Sequence, residues 1–247
     1  MNPSGNTILI TGGASGIGFA LAEEFAKMGN KIIICGRREE RLNEAKGRIK
    51  GLEAMKCDIS KADERVKLFQ WATSNFSSIN VLVNNAGIQR PADLTRGDFA
   101  EEEIATNLVA PMHMCSLFVP FFMKSGNESA IVNISSGLAF VPLARFPVYS
   151  ATKAAMHSYC TSLRHQTKAT NVKVFEVIPP TVDTELKGEM RERIPLERRG
   201  IKPEEVAKAS VDALKSDTYE VAIGMAKDLM KGSREDPDGA FSRMNNG

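Results

Sequence analysis

Short runs of apolar, often β-branched residues recur along the chain, each followed by a longer stretch in which apolar positions return every three or four residues. The runs are Thr7–Thr11, Lys31–Cys35, Ala54–Cys57, Ile79–Val83, Ala130–Ser135, Val172–Ile178 and Glu220–Ile223, and they read as seven strands. Stretches such as Phe19–Met28, Ala62–Asn75 and Glu101–Met123 carry a helical period. Strand and helix alternate, which predicts a mostly parallel seven-stranded sheet with helices on both faces, a Rossmann-type doubly wound α/β fold. No Pro/Gly/Ser-rich linker, internal repeat or low-complexity block interrupts residues 1–247, so one domain is predicted. The stretch after Lys231, rich in Gly, Asp, Arg and Asn, reads as a weakly ordered tail over 231–247.

The first strand runs into Thr11-Gly12-Gly13-Ala14-Ser15-Gly16-Ile17-Gly18. Glycines between a strand and a helix make a turn whose backbone N–H groups, with the positive helix end, can receive a pyrophosphate. Gly12 allows the tight turn, Gly16 lets the backbone approach an anion, and Gly18 lets helix pack on strand. The spacing is Gly-x-x-x-Gly-x-Gly, and a purely structural glycine turn is the alternative. At the end of the second strand an acid would bind a ribose 2′-hydroxyl, whereas arginine suits a 2′-phosphate. Here stand Gly36-Arg37-Arg38, with no acid between Lys31 and Arg38. That favours NADP(H), with NAD(H) still possible; the alternative is a solvated Arg pair bonded to Glu39, Glu40 or Glu44.

Composition narrows the classes without choosing among them. A net charge of +2, spread along the chain, gives no reason to expect nucleic acid. Cys35, Cys57, Cys115 and Cys160 lack metal-ligand spacing and read as reduced core thiols. His113, His157 and His165 show no ligand constellation either, so no metal is expected. Met1-Asn2-Pro3-Ser4 does not open a secretory signal, and the apolar stretch around Phe118–Met123 is short of roughly 20 residues and holds Pro120, so no membrane span is expected. A cytoplasmic enzyme or binding protein is left.

Chemistry is carried by Tyr149-Ser150-Ala151-Thr152-Lys153. Residues four apart share a helix face, so the Lys153 ammonium can lie beneath the Tyr149 phenol and draw its pKa from near 10 toward neutrality, as a general acid/base requires. Ser136, at the end of the fifth strand, can hold a carbonyl oxygen beside Tyr149. Alone, a Tyr-x-x-x-Lys spacing is common by chance and fits a surface pair equally.

Taken together these residues resemble the short-chain dehydrogenase/reductase family, and within it the DltE-like oxidoreductases. The likeness also takes in Cys57-Asp58, Asn84-Asn85-Ala86-Gly87, Asn107 and the Pro179–Thr184 stretch. The resemblance implies that Asn107, Ser136, Tyr149 and Lys153 are catalytic, Lys153 also gripping the nicotinamide ribose. It implies that Asp58 and Ile59 meet the adenine, that Asn85, Ala86 and Gly87 border the cofactor, and that Pro179, Val182 and Thr184 hold the nicotinamide end. Gly12, Ser15, Gly16, Ile17, Gly18, Arg37 and Arg38 complete the cofactor set. Pro111 offers no N–H to the Asn107 carbonyl, leaving it for a water that would link Lys153 to solvent; a simple proline kink is the other reading. The family usually has Pro-Gly where this chain has Pro179-Pro180, a stiffer loop.

The implied reaction moves a hydride between nicotinamide and a carbonyl or secondary alcohol. Leu138, Phe140, Phe146 and Val148 lie near the catalytic positions in sequence, with Arg145 the nearby charge, so an apolar small-molecule substrate is the default. Residues 183–200 fall where the family has a substrate-covering lid; a solvated helical hairpin of no specificity fits them equally. A homodimer or homotetramer is expected through the helices bearing Asn107 and Tyr149, from the apolar surplus Ile104, Leu108, Pro111, Met112, Cys115, Phe118, Val119 and Phe122 and the residues Ala151, Ala154, Ala155, Met156 and Tyr159. A non-catalytic NADP(H)-binding sensor is the rival, and a non-redox isomerase a weaker third.

Overall fold

In the computed structural model, which describes residues 1–187 and 199–246, the seven apolar runs form one sheet. Strands β1 (Thr7–Thr11), β2 (Lys31–Gly36), β3 (Glu53–Lys56), β4 (Ile79–Asn84), β5 (Ser129–Ile134), β6 (Val172–Ile178) and β7 (Glu220–Ala222) stand in the order β3-β2-β1-β4-β5-β6-β7. Every neighbouring pair is parallel. The helices are α1 (Gly16–Lys27), α2 (Glu39–Arg48), α3 (Ala62–Asn75), α4 (Glu101–Ile104), α5 (Ala110–Ser125), α6 (Pro147–Thr167), α7 (Pro203–Ser216), α8 (Met225–Glu235) and α9 (Pro237–Asn245).

Alternation along each strand divides the apolar residues between two cores. Ile8 and Ile10 of β1 pack with Val81, Val83, Phe25 and the α7 residues Val206 and Leu214. Leu9, between them, faces Ile33, Leu68, Met114 and Phe118 on the other side. Both faces are therefore covered, which is why the central strands read as unbroken apolar runs. The chain leaves β1 toward β2 and β3 and then crosses back to β4, so the ends of β1 and β4 open a crevice at the reversal of strand order, where ligands bind in such sheets.

Three expectations need correction. Glu101–Met123 is not one regular helix: α4 passes through a π-helical turn, Ala105–Val109, into α5. Pro111 sits just after that turn, where its ring would clash with a regular helix, and the wider turn absorbs it. Phe118, expected at a subunit interface, is fully buried in its own chain, edge-on to Phe69 at 5.0 Å and beside Phe122 at 5.4 Å. Pro111, Cys115 and Phe122 are buried as well; α3 covers this side of α5 and absorbs much of the apolar surplus. The tail after Lys231 is helical rather than weakly ordered. Asp236 caps α9 through the Gly239 N–H, Ala240 is buried, and Asn245 accepts from Ala144 N at 2.6 Å and donates to the Pro142 carbonyl.

The Glu101–Ser125 stretch is, at 25 residues and mean hydropathy 1.4, long and apolar enough to cross a membrane, longer than the apolar run suggested. Its Met114, Cys115, Phe118 and Phe122 side chains are spent on the sheet.

Candidate functional site

One cavity of about 470 Å³ opens along the carboxyl ends of the strands. All the residues assigned to cofactor or catalysis line it except Gly18 and Asn107. Gly18 lies behind the turn, where a Cβ would run into the Gly12 carbonyl oxygen and the Asn85 side chain. Gly12 has φ +64°, and a Cβ there would stand 3.0 Å from Ala86 Cα, so the turn after β1 and the loop after β4 touch only because the residue is glycine. Thr11 fastens the same contact: its hydroxyl accepts from the N–H groups of Asn85 at 3.0 Å and Ala86 at 3.1 Å.

At the outer end of the cavity Arg37 and Arg38 are present but engaged. Arg37 pairs with Glu102 at 2.8 Å, and Arg38 pairs with Glu185 at 2.9 Å while donating to Ser15 Oγ at 3.1 Å. Arg41 grips the other oxygen of Glu185 at 2.8 Å. The partners are thus carboxylates distant in sequence, Glu102 on α4 and Glu185 after β6, and not Glu39, Glu40 or Glu44 in the local sequence. Asp58 also faces the cavity. Burial acts to raise its carboxyl, but the Ser60 hydroxyl and N–H, both donating to Oδ1, and nearby Arg37 hold it below its ordinary value.

At the inner end three side chains converge from separate elements. Ser136 follows β5, and Tyr149 and Lys153 lie one turn apart on α6; all are buried. The Ser136 hydroxyl hydrogen-bonds the Tyr149 phenol and also accepts from Leu138 N at 3.2 Å. Lys153 Nζ stands 5.5 Å from the Tyr149 ring centre and donates to the Ile134 carbonyl at 2.8 Å. The expected draw of the phenol toward neutrality is not found here. Burial pushes Tyr149 up to about 12, Ser136 pulls it down, and the buried Glu103 carboxylate pushes it further up. Lys153 falls to about 8, again through burial. Both charged forms are disfavoured by the same loss of water, and the ammonium is directed at a carbonyl rather than at the phenol oxygen.

Asn107 stands behind this group, in the π turn. Its Oδ1 accepts from Ile88 N at 2.9 Å, and its Nδ2 donates to the Ile88 carbonyl at 2.8 Å and Thr152 Oγ1 at 3.4 Å. The side chain pins the loop after β4 to α6. Pro179 accepts from Gly137 N at 3.0 Å, tying the loops after β5 and β6 together. Past it, Val182 bridges to Ile201, where the chain returns. Of the predicted lid, residues 188–198 lie outside the described residues.

The apolar wall differs from the one expected. Leu138 lines the cavity, but Phe140 packs on His157, Phe146 is buried elsewhere, and Val148 does not face it. Leu186, Met225, Leu229 and Met244 take their place, the last three from α8 and α9. Gly137 makes this approach possible, since a Cβ there would stand 2.9 Å from Leu229.

Residues 6–195 match the model of the family described as short chain dehydrogenase. The chain is 44% identical over 249 residues to "Uncharacterized oxidoreductase DltE" of Bacillus subtilis (strain 168), with 99% of this chain and 98% of that protein covered. Among solved structures, a short-chain dehydrogenase from Sphingobium yanoikuyae in complex with NADPH superposes with a TM-score of 0.81 at 26% identity, over 93% of this chain and 94% of that one. One from Burkholderia cenocepacia J2315 in complex with NADP gives 0.84 at 26% identity, over 99% of both.

Proposed function

Because the chain belongs to the short-chain dehydrogenase family, we propose that it is an NADP(H)-dependent oxidoreductase acting on an apolar carbonyl or secondary alcohol. The observation that carries this reading is the meeting of Ser136, Tyr149 and Lys153 at the closed end of a cavity whose open end holds two arginines and a glycine turn. The residues suit the dinucleotide. A Cβ at Gly12 would press on Ala86 and one at Gly16 on Thr184, so the glycines let the loops close round the cavity; α1 offers its N-terminal N–H groups to a pyrophosphate, and Arg37 and Arg38 offer guanidiniums to a 2′-phosphate. Asp58 and Ile59 would border the adenine, Asn85, Ala86 and Gly87 the middle of the cofactor, and Pro179, Val182 and Thr184 its nicotinamide end.

The cofactor, when bound, supplies or takes up the hydride. Everything else falls to the protein. Tyr149, held as a neutral phenol by burial, gives its proton to the carbonyl oxygen in reduction and recovers it in oxidation. Ser136 donates to the same oxygen and fixes its place. Lys153, charged below about pH 8, stabilises the phenolate that Tyr149 leaves behind and holds the nicotinamide ribose. Asn107 keeps the loop after β4 against α6. Ile88, Leu138, Leu186, Met225, Leu229 and Met244 give the substrate an apolar wall.

A panel of aldehydes and ketones with NADPH, followed by the absorbance of the reduced nicotinamide, tests the reading. Turnover of an apolar carbonyl is expected. Tight NADPH binding with no consumption across the panel would replace it with the sensor, for which an acid/base set has no use. The assembly proposed with it is a homodimer or homotetramer built on α5 and α6: Met112 on α5, Val109 in the π turn before it, and Ala151 and Ala154 on α6 are exposed.

A further inference from the structure

A second group of chemistry-bearing side chains lies outside the cavity. Glu176 and Glu220 are partners in register on the parallel strands β6 and β7, so their side chains project from neighbouring positions of one face. His157, on α6, brings Nδ1 to 2.9 Å from Glu176 Oε2. One ligand atom from each of the three lies within 4.8 Å of the others. Their distance in sequence is why no histidine constellation is legible there.

Glu176 is fully buried, and among the described residues its Oε1 has no hydrogen-bond partner. A buried carboxylate oxygen without a donor is costly, and a second carboxylate on the next strand adds repulsion. The Lys153 ammonium is near enough to attract Glu176, but no local cation donates a hydrogen bond to Oε1 among the described residues. Arg164 reaches only Glu220, at 3.8 Å, with its Nε and Nη2 committed to the carbonyls of Val174 and Tyr219. Lys153 donates to the Ile134 carbonyl.

We propose that His157, Glu176 and Glu220 bind one zinc ion. An imidazole with two carboxylates is a donor set zinc accepts, with water in the fourth position, whereas calcium and magnesium prefer oxygen throughout. Zinc bonds of about 2.0–2.1 Å place tetrahedral ligand atoms about 3.3 Å apart. The His157–Glu176 separation needs little change, and Glu220, partly exposed, has the freedom to close the remainder. The Phe140 ring lies edge-on to His157 at 4.7 Å and fixes the imidazole plane. His157 and Glu220 keep enough exposure for the ion and its water to enter. None of the three residues lines the cavity of the proposed redox reaction.

The full chain, stripped with a chelator and titrated with zinc chloride by calorimetry, tests this. Expected are one zinc per chain, a rise in Tm on loading, and binding weakened at least tenfold in both His157→Ala and Glu220→Gln, each retaining the circular dichroism of the parent. No binding, or zinc bound equally by the parent and both variants, overturns the proposal.

Discussion

The two ends of the cavity are built on opposite principles. At the inner end Ser136, Tyr149 and Lys153 are 8%, 7% and 5% exposed, and each side-chain polar atom meets a protein partner largely out of solvent. At the outer end the side chains of Arg37 and Arg38 are 52% and 56% exposed and are held by ion pairs to half-exposed carboxylates that can let go. Removing water makes a proton hard to move except along prepared contacts, and it makes each contact expensive to lose. Leaving water in place makes partners exchangeable at about 0.2–1 kcal/mol per pair. The inner end is suited to chemistry and the outer end to choosing a ligand.

The largest break in that contrast is at Tyr149. Tyr149→Phe is expected to lose about 10²-fold or more in kcat while keeping NADPH affinity, measured by steady-state rate and fluorescence titration. Lys153→Met should lose rate and cofactor affinity together, yet raise the Tm of the free protein at pH 7. A lysine whose pKa falls from 10.5 to about 8 on burial is taken up as a charge more readily by the unfolded chain. Stability of the parent therefore rises with pH between those values, and the apolar variant removes the liability below them. A lower Tm in Lys153→Met would show the ammonium to be favourably paired.

The outer end should respond less and in affinity alone. Arg37→Asp is expected to weaken NADPH by about tenfold, the low end for a charge-assisted phosphate bond since the site is half exposed, and to turn the preference to NADH. Equal affinity of the parent for both cofactors would remove the basis of the contrast. Glu185→Gln is the converse: it frees Arg38 and Arg41 from a carboxylate that a 2′-phosphate has to displace. NADPH should tighten by up to about fivefold, the worth of one exposed pair, with NADH unchanged.

What the sequence discloses follows the same division. The strands are legible because both faces of the sheet are buried, and Tyr149 and Lys153 because a helix turn fixes their relation. Arg37 and Arg38 are legible as residues, but not their partners: Glu102 and Glu185 arrive from far along the chain. The burial that raises Tyr149, with Glu103 behind it, depends on how α4 packs on α6 and leaves no local mark. Met244 is hidden for another reason. A polar stretch rich in glycine, aspartate and arginine looks poorly ordered until Asp236 caps a helix and Asn245 anchors its end.

The smallest effect on rate is expected at the surface where the inner end would meet a second copy of the chain in the proposed assembly. Phe118 cannot report on assembly: buried between Phe69 and Phe122, it would unfold the chain if charged. Met112 can. It is 38% exposed on α5, near exposed Val109, and is not part of either core cluster. Because α5 continues the π turn that holds Asn107, and α6 holds Tyr149 and Lys153, a twofold contact there would brace the buried end and leave the arginines outside it. Light scattering of the parent at micromolar concentration is expected to give a multiple of 27.0 kDa, and Met112→Lys a single chain with a concentration-independent Tm and its cofactor preference intact. A parent mass of 27.0 kDa would mean that α5 and α6 hold the inner end in place without a partner.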